Sequence, residues 1–292
     1  MDDLDFSKTG SGWKPAPAPA PKPQTPLYVP AIARAFFESA GKEETLPAGT
    51  VFFAENEKAN RLLLKRDKMY LLVDGEVALT AKGKALGAVK VGHIFGEMAA
   101  ISDSPRSATA VARSPCRVIG LDDKQFYSAL QKTPQFALMM LGVMIQRMRS
   151  MMANISGVPA GAPREGRVFD RKLMASLEGE LGNQARVLYQ RGSVIMVAGQ
   201  TASLMYVVVE GRVEISIRGA VIERVGSGGV FGEMALIDQS PRSANATAET
   251  DCTLLAINRN VFLNLVKTDP MFGIALLSAT AERVRDTAAA AN

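Results

Sequence analysis

Along the chain, apolar positions recur first at helical and then at strand spacing, and the whole succession occurs twice. "PAIARAFFESAG" (30–41) and "FDRKLMASLEGELG" (169–182) place apolar residues three and four apart, which predicts a helix opening each half. Short β-rich runs follow. "MYLLVDGEVALTA" (69–81) has strands on both sides of Asp74-Gly75, and "MYVVVEGRVEISI" (205–217) matches it around Glu210-Gly211. Many short strands punctuated by glycine predict a small antiparallel barrel or jelly roll. Then come "DKQFYSALQKTPQFALMMLGVMIQRMR" (123–149) and "NRNVFLNLVKTDPMFGIALLSATAERVR" (258–285), each read as a helix, a proline break and a longer helix. The expected fold is mainly β with flanking α: two tandem jelly-roll β-barrels, each with N- and C-terminal helices.

A shift of 136 residues superimposes the two halves without a gap from about 70 to 149. It places Tyr70 on Tyr206, Gly75 on Gly211, Phe126 on Phe262, Pro134 on Pro270, Arg147 on Arg283 and Arg149 on Arg285. Over 70–110 against 206–246, 19 of 41 positions are identical, so the domain is duplicated. Upstream, Gly49 and Gly192 lie 143 apart, which gives the first copy seven extra residues within "AENEKANRLLLKRDK", read as a surface loop or a lengthened hairpin. The Gly- and Pro-rich "SGVPAGAPREG" (156–166) separates the copies. The predicted organisation is a Pro/Ala-rich tail over 1–29, a first domain over 30–155, a linker over 156–167 and a second domain over 168–292.

At 292 residues, 47% hydrophobic and 22% charged, the chain can bury two cores. Its formal charge of +5 is scattered, which argues only weakly for nucleic acid. The start "MDDLDFSKTG" does not read as a signal peptide, and "FALMMLGVMI" (136–145) is far short of the ~20 residues that span a bilayer, so a cytoplasmic protein without a membrane segment is expected. Cys116 and Cys252, equivalent under the shift, are read as buried free thiols. The tail alternates proline with alanine and lysine, favouring polyproline II, while Leu4, Phe6 and Trp13 supply anchors by which it could dock on an effector protein.

The chemistry concentrates in "FGEMAAISDSPRSATA" (95–110) and "FGEMALIDQSPRSANA" (231–246). Glycine lets the backbone approach a ligand, a helical turn starting near the Glu points amide hydrogens outward, and the Arg offers a charged fork matched to two phosphate oxygens. The Glu is an acceptor suited to sugar hydroxyls. One Arg with no metal-binding acids is too little for a triphosphate but suffices for a singly charged cyclic phosphodiester. An isolated Glu and Arg nine residues apart would ordinarily form a surface ion pair, but here they recur at identical spacing inside a strand pattern. These stretches resemble the phosphate-binding cassette of the cyclic nucleotide-binding domain family, Phe-Gly-Glu-(Leu or Met)-Ala, a spacer, then Pro-Arg-(Ser, Thr or Ala)-Ala, and the resemblance extends over about 30–292. It implies that Glu97 and Glu233 accept the ribose 2′-hydroxyl and that Arg106 and Arg242 clamp the exocyclic phosphate oxygens. It further implies that Gly96, Met98, Ala99, Ser107 and Ala108, with Gly232, Met234, Ala235, Ser243 and Ala244, line the two pockets. Ser107 and Ser243 after the Arg look more like the bacterial cyclic AMP sensors of the family than its cyclic GMP-selective members, so the resemblance implies cyclic AMP, with cyclic GMP the alternative ligand.

Other patterns fall short. "GSGGVFG" (226–232) misses the dinucleotide spacing, and His93, the only histidine, has Gly229 as its counterpart and reads as a loop residue. No metal cluster, cofactor motif, nucleophile elbow or acid pair is apparent, so no catalysis is expected. Phe136, Met140, Val143, Met144, Met148 and Met151 form one stripe on the last helix of the first copy, read as packing on its own barrel or as a surface able to repack when ligand binds. A regulator similar to the catabolite activator protein needs a DNA-reading segment after its last long helix, and the sequence ends in "DTAAAAN", so DNA binding is not expected. A regulatory subunit similar to that of cyclic AMP-dependent protein kinase has the same tandem order, but the tail lacks an Arg-Arg-x-(Ser or Ala) inhibitor sequence. The preferred reading is a two-site sensor whose shape is read by a partner protein; the remaining alternative is a structural protein with degenerate pockets.

Overall fold

The computed structural model describes residues 28–58, 67–102, 104–154, 164–166 and 169–290. The tail anchors, residues 59–66 of the stretch that holds the first copy's extra residues, and most of the linker lie outside the described residues. Both copies open with a helix, α1 (Pro30–Ala40) in the first and α5 (Arg171–Leu181) in the second. Asp170 caps α5 by accepting from the Leu173 amide. On α1, Phe36 and Phe37 are fully buried, and Phe36 stacks on Phe136 with ring centroids 3.7 Å apart.

Two four-stranded antiparallel sheets face one another in the first copy. One runs in the order Lys42–Leu46, Cys116–Asp122, Lys68–Asp74, Ile94–Phe95, and the other Val51–Phe53, Thr109–Ala112, Val77–Ala81, Lys84–Val89. The second copy repeats this arrangement, and its second sheet gains Arg164–Gly166 from the segment read as linker, paired parallel to Ala220–Val225. The jelly-roll expectation therefore holds as a pair of facing sheets, not as one closed barrel. Strands flank Gly75 as expected, and the chain crosses there from one sheet to the other. A Cβ on Gly75, at φ +94°, would lie 2.5 Å from the Pro115 carbonyl, which fixes the residue type. A hairpin follows at Lys82-Gly83, with its counterpart at Arg218-Gly219, where both residues have positive φ as a type I′ turn requires. Cys116 and Cys252 are buried free thiols in separate intersheet cores.

The proline breaks produce the expected helix pairs: α3 (Asp123–Lys132) and α4 (Gln135–Asn154), then α7 (Arg259–Thr268) and α8 (Pro270–Ala290). Asp122 and Gln125 close a reciprocal capping box on α3, and Asn258 caps α7. Two short helices, α2 (Glu97–Ser102) and α6 (Glu233–Asp238), arise inside the cassettes. The long helices decide how the copies meet. α4 packs along α8, α8 also reaches α2, and α4 reaches α6. Met140, Met144 and Met148 of the apolar stripe are buried in a core that draws on both copies, including Leu276, Leu277 and Ala281. The stripe thus cements the pair as well as its own half, and burying side chains of this size contributes roughly 1.5–3 kcal/mol each.

Candidate cyclic nucleotide sites

Each cassette begins where a two-residue strand, Ile94–Phe95 or Val230–Phe231, meets a glycine with positive φ, +77° at Gly96 and +80° at Gly232. Only glycine accommodates this bend without strain, and it turns the chain straight into α2 or α6 with Glu97 or Glu233 as first residue. Both carboxylates are buried, as are Ala99, Ala108, Ala235 and Ala244, while Met98 and Met234 are partly covered. Ser107 is exposed and Ser243 half-buried.

The two cassette arginines have the same posture. Arg106 donates from Nη1 to the Gly96 carbonyl at 2.7 Å and from Nη2 to the Lys68 carbonyl at 2.8 Å. Arg242 donates from Nη1 to the Gly232 carbonyl at 2.8 Å and from Nη2 to the Leu204 carbonyl. Burial lowers both pKa values, yet a guanidinium stays charged at any physiological pH. Their environments then diverge. Arg106 also pairs with Asp67 at 3.1 Å and lies 4.3 Å over the Phe53 ring. Where the first copy has Asp67 the second has Ser203.

The buried carboxylates are held by the long helices. Arg147 of α4 donates to Glu97, and the carboxylate raises its pKa. Arg283 of α8 donates to Glu233 at 2.8 Å and to Glu223 at 3.0 Å; burial alone would lower its pKa, but the two carboxylates raise it well above the ordinary value. The second copy is the more enclosed, since the Arg283 side chain is 12% exposed and that of Arg147 49%. Tyr70 and Tyr206 stack on Phe95 and Phe231 behind the cassettes, and burial with a hydrogen bond involving Tyr189 pushes the Tyr206 hydroxyl up to about 12. His93, exposed and stacked on Tyr28 at 4.7 Å, is a loop residue. Among the described residues no group of three or more His, Cys, Asp or Glu could hold a metal ion, and no single helix is long and apolar enough to cross a membrane.

All the sequence-predicted site residues thus gather at two equivalent places. Arg147 and Arg283 were visible only as paired repeat positions; their contact with the glutamates is a tertiary fact. Asp67 and Glu223 carried no sequence signal beyond being positions at which the copies differ.

A family model for the cyclic nucleotide-binding domain matches residues 43–133 and 186–269. The chain belongs to the cyclic nucleotide-binding domain family. Both cassettes fall inside the matched segments. A cAMP-dependent protein kinase regulatory subunit from Eremothecium gossypii is 27% identical over 202 residues, 68% of this chain and 40% of the relative. One from Yarrowia lipolytica is 26% identical over 202 residues, 68% of this chain and 49% of the relative. The Cyclic AMP receptor protein of Thermus thermophilus is 33% identical over 106 residues, 35% of this chain and 49% of the relative. The chain thus spans less than half the length of these relatives. Among solved structures, cAMP-bound PfPKA-R is 20% identical with a TM-score of 0.32, covering 83% of this chain and 84% of that one.

Proposed function

We propose that the chain is a non-catalytic sensor with two cyclic nucleotide sites, cyclic AMP the favoured ligand, and that occupancy is passed through the long helices to a partner protein. The observation that carries the reading is the connection of each candidate ribose acceptor to a long helix, Glu97 to Arg147 of α4 and Glu233 to Arg283 of α8. A ribose hydroxyl donating to either carboxylate competes with, or tightens, the bond holding that helix, so ligand and helix position are thermodynamically linked. In this reading Arg106 and Arg242 turn from backbone carbonyls to the phosphate, the amides opening α2 and α6 complete the anion pocket, and the small residues around 99, 108, 235 and 244 leave the space. The domains run over 30–155 and 168–292, and the site is one of binding, not of bond cleavage.

The relatives favour one class of partner: several are regulatory subunits of a kinase, which makes a protein kinase-like effector the second reading of where the signal goes. Equilibrium dialysis with labelled cyclic AMP, challenged by cyclic GMP and by 5′-AMP, tests the ligand. Displacement by unlabelled cyclic AMP at lower concentration than by cyclic GMP, with 5′-AMP ineffective, is expected. Retention of no label, or equal competition by 5′-AMP, would refute cyclic phosphodiester recognition.

A further inference from the structure

α4 is held from two sides by two different cassettes. Arg147 reaches Glu97 of its own copy. Arg149, two residues on and therefore about 200° around the helix, reaches the cassette of the other copy. Its Nε and Nη2 face the Asp238 carboxylate, with Nη2 to Oδ1 at 3.0 Å, in the two-pronged geometry that makes Arg–carboxylate pairs specific. Its Nη1 donates to the Ser243 hydroxyl at 2.7 Å and to the Pro241 carbonyl at 3.3 Å. Asp238 in turn accepts from the Ser240 amide at 3.0 Å, so one guanidinium ties down the loop from α6 to Arg242. These groups are shielded: the Arg149 side chain is 24% exposed and that of Asp238 9%. The first cassette is built differently, because its counterpart of Asp238 is Ser102, while Arg285, the counterpart of Arg149, pairs with Asp286 at 3.4 Å.

We propose that Arg149 of the first copy is a positioning residue of the second copy's nucleotide site, acting through Ser243; this rests on the reading that the second cassette takes a cyclic phosphodiester. A hydroxyl has one hydrogen and two lone pairs. With Arg149 donating to its oxygen, the Ser243 hydrogen is turned away from α4 and is available to a phosphate oxygen gripped by the neighbouring Arg242. The guanidinium also adds positive potential beside the anion. Phosphate at the second site and docking of α4 on the second cassette then reinforce each other, and since the opposite side of α4 holds Glu97, the two sites are linked reciprocally through this helix.

Calorimetric titration of cyclic AMP into the full chain tests this, with Arg106→Ala silencing the first site so that the heat reports the second. Arg149→Met is expected to weaken the second site about tenfold, the scale of one hydrogen bond to a charged group, and Arg149→Lys, which keeps the charge but not the fork, is expected not to restore it. Ser243→Ala should weaken the site similarly, and adding Arg149→Met to it should cost at most about twofold more, because the two act through one contact. In an Arg242→Ala background Arg149→Met should change the first site by less than it changes the second, because Arg149 reaches the first site only through α4. A second-site affinity within about twofold of the parent in both Arg149 variants, or losses that add fully in the double variant, would overturn the proposal while leaving nucleotide binding intact. Absence of cyclic AMP heat in the unmodified chain would instead overturn the functional reading and this proposal with it.

Discussion

Removing the cation that joins site to helix should have very different consequences in the two copies. Arg283 is surrounded by two carboxylates whose side chains are 8% and 3% exposed, and it also donates to the Val230 carbonyl at 2.7 Å. Arg283→Met leaves Glu223 and Glu233 buried without their countercharge, a situation that typically costs about 3–5 kcal/mol. Arg147 faces one carboxylate and is half exposed, because the first copy has Gly87 where the second has Glu223. Exposed pairs contribute about 0–1 kcal/mol, and since Arg147 is half exposed while its single partner Glu97 is buried, Arg147→Met should cost more than that but less than Arg283→Met. The two substitutions are the same chemistry at equivalent positions, and each serves as the other's control. At roughly 2–4 °C per kcal/mol for a unit of this size, the midpoint should drop by at least about 6 °C for Arg283→Met and by only a few degrees for Arg147→Met. Thermal unfolding followed by circular dichroism at fixed pH and salt measures both, and Glu223→Gln combined with Arg283→Met should recover part of the loss. Equal destabilisation by the two substitutions, or a loss below about 1 kcal/mol for Arg283→Met, would refute the assignment of Arg283 as a buried bridge.

Other outcomes follow from the same geometry. Gly232→Ala places a Cβ 2.6 Å from Arg242 Nη1 at a φ of +80°, so it should cost about 1–2 kcal/mol in stability and displace the clamp, lowering second-site affinity by more than the midpoint shift suggests; titration and melting of one sample compare the two. Gly96→Ala meets the Phe53 ring at 2.8 Å and should displace Arg106 in the same way at the first site. His93 has its pKa lowered by partial burial, Lys90 and Arg147, so its neutral form is the one the fold favours; its contribution to stability is present above the unfolded value of about 6.5 and lost as pH falls below it. His93→Gln should therefore flatten the rise of melting midpoint between pH 5 and pH 7, and an unchanged slope would count against that environment.

Period, punctuation and repeat made most of the fold legible. The helical stripes around Phe36 and Phe126, the proline breaks at 134 and 270 and the cassette spacing each follow from local chemistry, and the 136-residue shift made every local inference twice over. The strands on both sides of Gly75 are present as expected, but a glycine between two strands is compatible both with a hairpin and with a crossing between sheets, and the sheet pairing shows a crossing. Arg164–Gly166 joins a sheet although its composition signals a linker, since a sheet edge accepts backbone of almost any sequence. The relation between the copies was the least legible part. A duplication shows which positions are equivalent, whereas the contacts that distinguish the sites occur where the copies differ: Asp67 against Ser203, Gly87 against Glu223, Ser102 against Asp238. Each difference reads as neutral drift until its partner arginine is known: Arg106 of the same cassette for Asp67, Arg283 of α8 for Glu223 and Arg149 of α4 for Asp238.

The central claim is that one chain carries two cyclic nucleotide sites, each built around its own arginine. Titration calorimetry of cyclic AMP into the unmodified chain, Arg106→Ala, Arg242→Ala and the double variant tests it most directly. The account predicts two molecules bound per chain, one in each single variant and none in the double variant, with all four proteins retaining the same circular dichroism spectrum. Two molecules still bound when either arginine is lost, or none bound by the unmodified chain, would contradict it.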